Sequence, residues 1–379
     1  MRVKKHKQAL QIPQKKPGNF ENRKPPAGVL FIEFALDSSG SIIIIPAISI
    51  LLVFIISVIF SKTPGSTLYY FFLGPFRNVF NFGNMLNSAV PLLLGGLGVS
   101  IAMKAGSLNL GGEGQIYFGA FTSVAVSLAL PYTGFLGGLT SILAGAAAAG
   151  FACALCGAFK AWWKTSELIT TFLISGILIR VVNYLLSGPF LDPETNLQSS
   201  AKIDISQRLP IILAPSNLNA ALYIGLAVLV IVHIFLYKTK HGYEFRIMGN
   251  NEIFARYGGI NTKLNTIMAM FLSGSLYGLA GALAVFGTHH ALIKDFSDGL
   301  GWNGLAAALI ARFYPPALIP ASLFLAWIGS GARIAMQNSG ITFETAFIVQ
   351  AVIFFLATST VLASLFRKNR NRMQAGKLL

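Results

Sequence analysis

The chain has 379 residues, of which 54% are hydrophobic and 11% charged. Soluble globular proteins carry about 25% charged residues, and thirteen Asp and Glu cannot coat a water-facing surface of this size, which excludes an ordinary soluble fold. The net charge of +16 would point to nucleic acid in a soluble chain. Here the basic residues lie mainly between and outside the apolar runs, so they read as membrane orientation and no nucleic-acid partner is expected.

Residues 1–27 are polar and basic, longer than the leader of a secretory signal, and no small-residue cleavage site follows the first apolar run. The segment reads as a cytoplasmic tail, either lying on anionic membrane lipid or serving topology alone. The chain divides into a basic tail at 1–40, a membrane domain at 41–366 and a second basic tail at 367–379. The predicted fold class is all-α: a polytopic membrane protein of about ten transmembrane helices. The spans are placed at 42–60, 89–103, 114–130, 135–159, 168–186, 218–236, 264–286, 300–313, 316–332 and 342–366. The first has no charge and, at ~1.5 Å rise per residue, reaches roughly 28 Å, close to the bilayer core of about 30 Å. The eighth has the length of a broken or re-entrant helix, which survives at membrane depth only under protein or beside a cavity.

The basic residues test this map. With the N-terminus inside, 22 of the 29 Lys and Arg fall in interior segments. Six fall outside (Lys62, Arg77, Lys202, Arg208, Lys294 and Arg333) and Arg180 lies within a span. This asymmetry predicts both termini in the cytoplasm and an even number of crossings. Five spans per half would turn the second half upside down relative to the first, the layout of an inverted repeat.

Two exterior loops are long. Residues 61–87 include an aromatic stretch suited to an interfacial helix. Residues 187–216 are polar and would cap the bundle or receive a partner. The sizeable interior loop, 237–263, holds a predicted short helix at 252–257, stopped by Gly258-Gly259, with Phe254 and Tyr257 among charges. Cys153 and Cys156 read as thiols packed inside a helix. His289-His290 reads as a loop pair rather than a metal site, and no metal or cofactor is expected on this chain. Gly274, Gly278 and Ala282, and the Gly/Ala run at 143–152, suit close helix packing.

The polar residues at span ends are the candidate substrate pathway. Glu113 opens a long apolar run. A carboxylate at bilayer depth costs about 2.5–3.5 kcal/mol on insertion scales, so it faces a cavity or a partner. Asn109, Glu113 and Gln115 then line a pathway; alternatively the segment lies at the inner interface and Glu113 caps its own helix. Thr170, Thr171, Arg180 and Asn183 give the fifth span a polar face that should point into the bundle; alternatively Arg180 snorkels to the outer interface.

Four stretches together resemble the permeases of nucleoside and simple-sugar ATP-binding-cassette (ABC) importers, within the ribose and branched-chain amino acid permease superfamily. Asn109-Leu-Gly-Gly-Glu-Gly-Gln115 is similar to that family's Asn-Ile-Gly-x-Glu-Gly-Gln signature. Gly249-Asn250-Asn251 with Ala255-Arg256-Tyr257-Gly258-Gly259-Ile260 resembles its cytoplasmic loop, and Ser273-Gly274 with Leu279-Ala280-Gly281-Ala282 its next span. Gly301-Trp302-Asn303-Gly304-Leu305-Ala306-Ala307-Ala308-Leu309 resembles a further element, with Trp302 and Ala307 where Phe and Val are usual.

The resemblance implies a bacterial inner-membrane, multi-pass permease subunit that is not itself an enzyme. It implies an ABC ATPase that holds the ATP, an extracytoplasmic substrate-binding protein and a second permease, with a heterodimer favoured over a homodimer. Gly249, Asn250, Asn251, Glu252, Ala255, Arg256 and Tyr257 would couple to the ATPase; Trp302 and Asn303 would join the pathway. The implied solute is a nucleoside, riboflavin or a simple sugar. The competing reading is an ion-coupled secondary transporter whose coupling charges are Glu113, Glu167 and Arg180. A lipid-modifying membrane enzyme would need a nucleophile with a base or a metal cluster, and the sequence presents neither.

Overall fold

The computed structural model describes Leu51, Phe54, Ile55, Ser61, residues 63–339, Ile348 and Ala351. The spans expected at 42–60 and 342–366, and both tails, fall largely outside the described residues. In chain order the helices are α1 (Pro64–Phe72), α2 (Val79–Lys104), α3 (Gly112–Ala129), α4 (Gly134–Trp163) and α5 (Glu167–Leu186). A two-stranded ribbon, β1 (Ile211–Leu213) with β2 (Leu218–Asn219), precedes α6 (Ala221–Lys238), α7 (Lys240–Asn250) and α8 (Glu252–Tyr257). Then come α9 (Thr262–Ala284), which runs into a π-turn at Val285–His289, α10 (Leu300–Ile310) and α11 (Leu318–Ser339). Among the described residues, six helices are long and apolar enough to cross a membrane: α2, α4, α5, α6, α9 with its π-turn, and α11 with the preceding turn.

Helix α2 is the axis of the bundle. Leu94, Leu97, Val99 and Ala102 on it are fully buried, and it packs against α6, α9, α10 and α11. It begins ten residues earlier than the expected span at 89–103, because Asn78 caps it: the Asn78 side chain accepts from the Asn81 N–H at 2.7 Å. A cap satisfies an orphan amide at the helix start, so the polar turn 79–88 stays helical although hydropathy alone ends the span at Ala89. The aromatic stretch before it forms α1 and a 3₁₀ turn, Gly74–Phe76, and α1 packs Phe71 onto Ile328, Ala332 and Ala335 of α11.

The two small-residue runs meet each other. A Cβ on Gly274 would lie 2.5 Å from the Ala149 carbonyl oxygen, and one on Gly278 would lie 2.8 Å from that of Gly145. Helices α9 and α4 therefore approach backbone to backbone, the packing that small residues permit in lipid. Cys153 and Cys156 sit unpaired in this contact, buried with Ala102 and Met270. Helix α3 occupies the span expected at 114–130. It is enclosed by α4, α5, α9 and α10, which allows it Gln115, Tyr117, Ser123 and Ser127 along its buried face. Outward faces are apolar instead: on α5, Ile169, Phe172, Leu173 and Ile177 are more than half exposed.

The eighth predicted span is α10, whose eleven residues rise about 16 Å, roughly half of the hydrocarbon core. The segment 187–216, expected outside, folds back over one end of the bundle. Its backbone pairs with the residues after α9: Ser200 N–H donates to the Leu292 carbonyl and Ile203 N–H to that of His290, each at 2.9 Å. The segment 237–263, expected inside, forms two helices rather than one. Thr239 caps α7, and α8 spans the predicted 252–257, with the Asn251 side chain accepting from the Phe254 N–H and Gly259 at φ +79° ending it.

Candidate functional site

A cavity of about 550 Å³ opens at the end of the bundle opposite α7 and α8. That volume lies in the usual range for small-molecule sites, about 300–1,000 Å³. One wall is the first turns of α2, where Asn81, Asn84 and Asn87 recur every three residues and so share a face. A second wall is Thr288 and His289 of the π-turn. The third is the turn into α10, with Ser297, Asp298 and Asn303, and the fourth is α11, with Ser330, Arg333 and Gln337. Phe80 and Phe296 supply flat apolar surface, and His289 stands edge-on to Phe296 at 5.4 Å between ring centres.

The hydrogen bonds sort these groups into wall-builders and free groups. Asn87 is spent: it donates to Thr288 Oγ1 at 2.9 Å and accepts from the Asn219 side chain at 3.1 Å. Asn84 Oδ1 accepts from the Asn217 N–H, and Asn81 Nδ2 donates to the Gly74 carbonyl. Arg333 Nη2 donates to Ser330 Oγ at 3.1 Å and Ser88 Oγ at 3.3 Å, both neutral acceptors. The side chains of Asn217, Asp298, Asn303 and Gln337 reach the cavity with no hydrogen-bond partner among the described residues.

Of the eight predicted pathway residues, Asn303 alone lines this cavity. Asn109 and Gln115 are buried and face each other amide to amide, at 2.7 and 3.0 Å, with Asn109 also donating to Ser273 Oγ. Thr171 accepts from the Leu110 N–H and donates to the Glu167 carbonyl; Thr170 donates to the Ser166 carbonyl. Asn183 accepts from the Tyr117 hydroxyl at 2.7 Å and donates to Asp295 at 3.0 Å. Trp302 is half-exposed beside Phe172. Asn109, through Ser273, and Thr171, through Leu110, thus lock the turn between α2 and α3 to α9 and α5.

Glu113 reaches neither a cation nor the cavity. Its carboxylate accepts from the Gly299 N–H at 3.1 Å and the Gly301 N–H at 2.9 Å, the first turn of α10. Sequence spacing suggests that it caps α3; it lies in the first turn of α3 and caps α10. Two helix N-termini thus converge on one carboxylate, each adding positive partial charge. A Cβ on Gly301 would stand 2.2 Å from the Glu113 nitrogen, so only glycine allows this approach. Glu113 is a positioning group: it fixes the turn that presents Ser297, Asp298 and Asn303. The other charges of the ion-coupled reading lie apart from it. Glu167 pairs with Lys160 at 2.8 Å, and Arg180 is exposed with no partner among the described residues. Among the described residues no three His, Cys, Asp or Glu gather as metal ligands would.

The far end of α2 meets the predicted coupling segment. A Cβ on Gly249 would lie 2.2 Å from the Lys104 carbonyl oxygen, so α7 ends flush on the turn after α2. Lys160 Nζ crosses to the same turn, donating to the Gly106 carbonyl and Ser107 Oγ. Asn251 caps α8, Ala255 is buried, and Glu252 pairs with Arg256 at 3.0 Å. Asn250 closes α7. Ile253, Phe254 and Tyr257 stand out at 69, 63 and 90% exposure, a bare aromatic ridge.

Sequence reasoning missed Asn81, Asn84, Asp298 and Arg333 because the hydropathy map put them in exterior loops. Arg333 lies inside α11, six residues before its end. The signal that was present is the three-residue spacing of Asn78, Asn81, Asn84 and Asn87, a capped helical face.

Fold and site together define a multi-pass membrane protein with a solute-sized cavity of mixed polar and apolar lining at one end and a closely seated helical hairpin at the other. The chain belongs to the branched-chain amino acid transport system / permease component family, whose model matches residues 81–358. It is 32% identical over 307 residues to the probable riboflavin import permease protein RfuC of Treponema pallidum (strain Nichols), covering 80% of each chain. It is 30% identical to the glucose ABC transporter permease protein TsgB13 of Haloferax volcanii, covering 76% of this chain and 79% of that one. It is 28% identical to the guanosine ABC transporter permease protein NupP of Bacillus subtilis (strain 168), covering 79% and 88%.

Proposed function

We propose that this chain is the membrane-spanning subunit of an ABC importer that carries a small polar solute, a nucleoside, riboflavin or a simple sugar, across the bacterial inner membrane. The observation that carries the reading is the placing of two unlike surfaces on the two ends of α2. One end holds a cavity of about 550 Å³ lined by polar and apolar groups, and the other holds α7 and α8 with an exposed ridge of Ile253, Phe254 and Tyr257.

In this reading the ridge of Phe254 and Tyr257 enters a groove on an ABC ATPase, and Gly249 passes its movement to the turn after α2. The turn leads through Glu113 to α10 and the cavity wall. Both termini face the cytoplasm, and the two outer spans at 42–60 and 342–366 bring the total to about ten. The cavity then faces the exterior, where a substrate-binding protein delivers the solute. A second, different permease completes the pathway against an apolar outer face such as that of α5. ATP is hydrolysed on the partner, and this chain supplies the conduit.

The test is uptake with and without the ATPase. The subunit should co-purify with an ABC ATPase, and solute uptake should stop when that ATPase is deleted or its nucleotide site is inactivated. Uptake that continues unchanged after the ATPase is removed, and follows a proton or sodium gradient instead, would establish the ion-coupled transporter.

A further inference from the structure

The cavity holds one guanidinium, Arg333, on a helix otherwise apolar enough to cross the membrane. Arg333 stands six residues before the end of α11 and is exposed, and a cation on such a helix normally faces a partner, a cavity or water. Among the described residues Arg333 has no carboxylate partner; its hydrogen bonds go to the hydroxyls of Ser88 and Ser330. Two short hydroxyls from two helices, α2 and α11, hold the guanidinium without neutralising it. A guanidinium carries five N–H donors in a fixed planar fork, so most of its donors remain for something that enters the cavity.

The other free groups narrow what that is. Among the described residues Asp298 is the single carboxylate of the lining and Arg333 the single guanidinium, so the described lining is balanced in charge and carries no excess for a phosphate or a carboxylic acid. Asn217, Asn303 and Gln337 offer free carboxamides, each a donor beside an acceptor. That alternation is the complement of a lactam or amidine edge on a nitrogen heterocycle. Phe80 and Phe296 provide faces for a flat ring to stack on. A planar acceptor edge suits the fork of Arg333, which is the geometry by which arginine reads purines elsewhere.

We propose that Arg333 determines specificity by donating paired hydrogen bonds to the acceptor edge of a neutral nitrogen heterocycle, so that the solute is a base carrying a polyol rather than a bare sugar. This rests on the reading of the cavity as part of the solute pathway. Nucleosides and flavins share the chemistry, and the probes below separate them.

The full chain is placed in lipid nanodiscs, and saturation-transfer NMR titrations are run with inosine, riboflavin and D-ribose. The parent should saturate the ring protons of inosine or of riboflavin, and whichever binds more tightly names the source. R333Q should weaken that probe at least tenfold and change ribose less than twofold. R333K should weaken it nearly as much, since an ammonium lacks the fork. If R333Q does not fold, the paired variant S88A/S330A leaves the charge but loosens its hold, and should weaken the heterocycle about threefold with ribose unaffected.

Three results would overturn the proposal: no saturated ring proton in the parent, heterocycle affinity kept within twofold in R333Q (or, where that variant does not fold, in S88A/S330A), or equal weakening of heterocycle and ribose. The last marks Arg333 as a strut for α2 and α11. ATPase-dependent uptake is measured separately, so its loss sinks the transporter reading, whereas failure of these titrations sinks only the role of Arg333.

Discussion

The two ends of α2 are built on opposite rules. At the cavity end, polar side chains are plentiful and several have no partner among the described residues: Asn217, Asp298, Asn303 and Gln337. At the other end backbone meets backbone, with Gly249 seated on the Lys104 carbonyl and Gly106 at φ +75°. The first arrangement leaves bonding capacity for a guest. The second is close-packed, with backbone on both sides of the contact. In the proposed importer the first would serve as a wall that exchanges partners and the second as a stiff lever.

The largest effect is expected at the Gly249 contact. Gly249→Leu puts a branched side chain where a Cβ already meets the Lys104 oxygen at 2.2 Å. Overpacking typically costs 1–3 kcal/mol, and with backbone on the far side we expect about 3 kcal/mol or more. Thermal unfolding in detergent should fall markedly and uptake should vanish. Gly259→Ala, at a position with nothing within 4 Å, strains only its φ of +79° and should cost about 1 kcal/mol.

The ridge should separate docking from folding. Phe254→Ala with Tyr257→Ala removes two exposed rings. Exposed substitutions change stability by about 0.5 kcal/mol or less, whereas buried aromatic anchors of an interface are worth about 2 kcal/mol or more. The expected result is an unchanged melting temperature with ATPase affinity reduced at least thirtyfold, read by pull-down titration. Unchanged affinity would move the docking surface elsewhere.

Glu113 joins the two ends. Glu113→Gln keeps one oxygen acceptor, loses the charge and turns a donor toward one of the Gly299 and Gly301 amides. Loss of a charge-assisted bond and a poorly satisfied amide should cost about 1–2 kcal/mol, measured by thermal unfolding. Solute affinity should weaken with it, because the turn carrying Asp298 and Asn303 loosens. If stability falls while affinity holds, Glu113 supports the fold without positioning the wall.

The smallest effect concerns the cap over the cavity end. Asp204 accepts from the Ser206 hydroxyl and, at 2.8 Å, the Ser206 N–H, which holds its carboxyl below the ordinary carboxylate value. A lowered folded value gives stability that is present above the unfolded value and lost as pH falls through the folded one. Protection of the Ser206 amide in hydrogen exchange should therefore be steady near neutrality and drop only in acid, and Asp204→Asn should remove the drop.

Much of the fold was legible locally. Helix α8 was predicted residue for residue from Asn251 before it and Gly258-Gly259 after it, since caps are set by neighbours in sequence. The small-residue runs on α4 and α9 were recognised as packing surfaces, though not as each other's partners. Helix α7 was read as loop because its residues, including Lys240, His241, Glu244 and Arg246, are polar; it is stabilised by Thr239 at its cap and by burial of Phe245 and Met248. The site was less legible. Asn109, Gln115, Thr171 and Asn183 are polar in an apolar setting, and sequence cannot distinguish a group that waits for solute from one already satisfied by a neighbour. Here each has an internal partner.

What the sequence determined by itself was the solvent and the kin: composition and apolar run length demand lipid, and ordered short motifs identify the family. Both are properties of segments, readable without knowing what each segment touches. What only the tertiary structure decided was which polar groups face the cavity. That choice depends on pairs far apart in the chain, Ser88 with Arg333 and Glu113 with Gly301, brought within about 3 Å by the way α2, α10 and α11 pack.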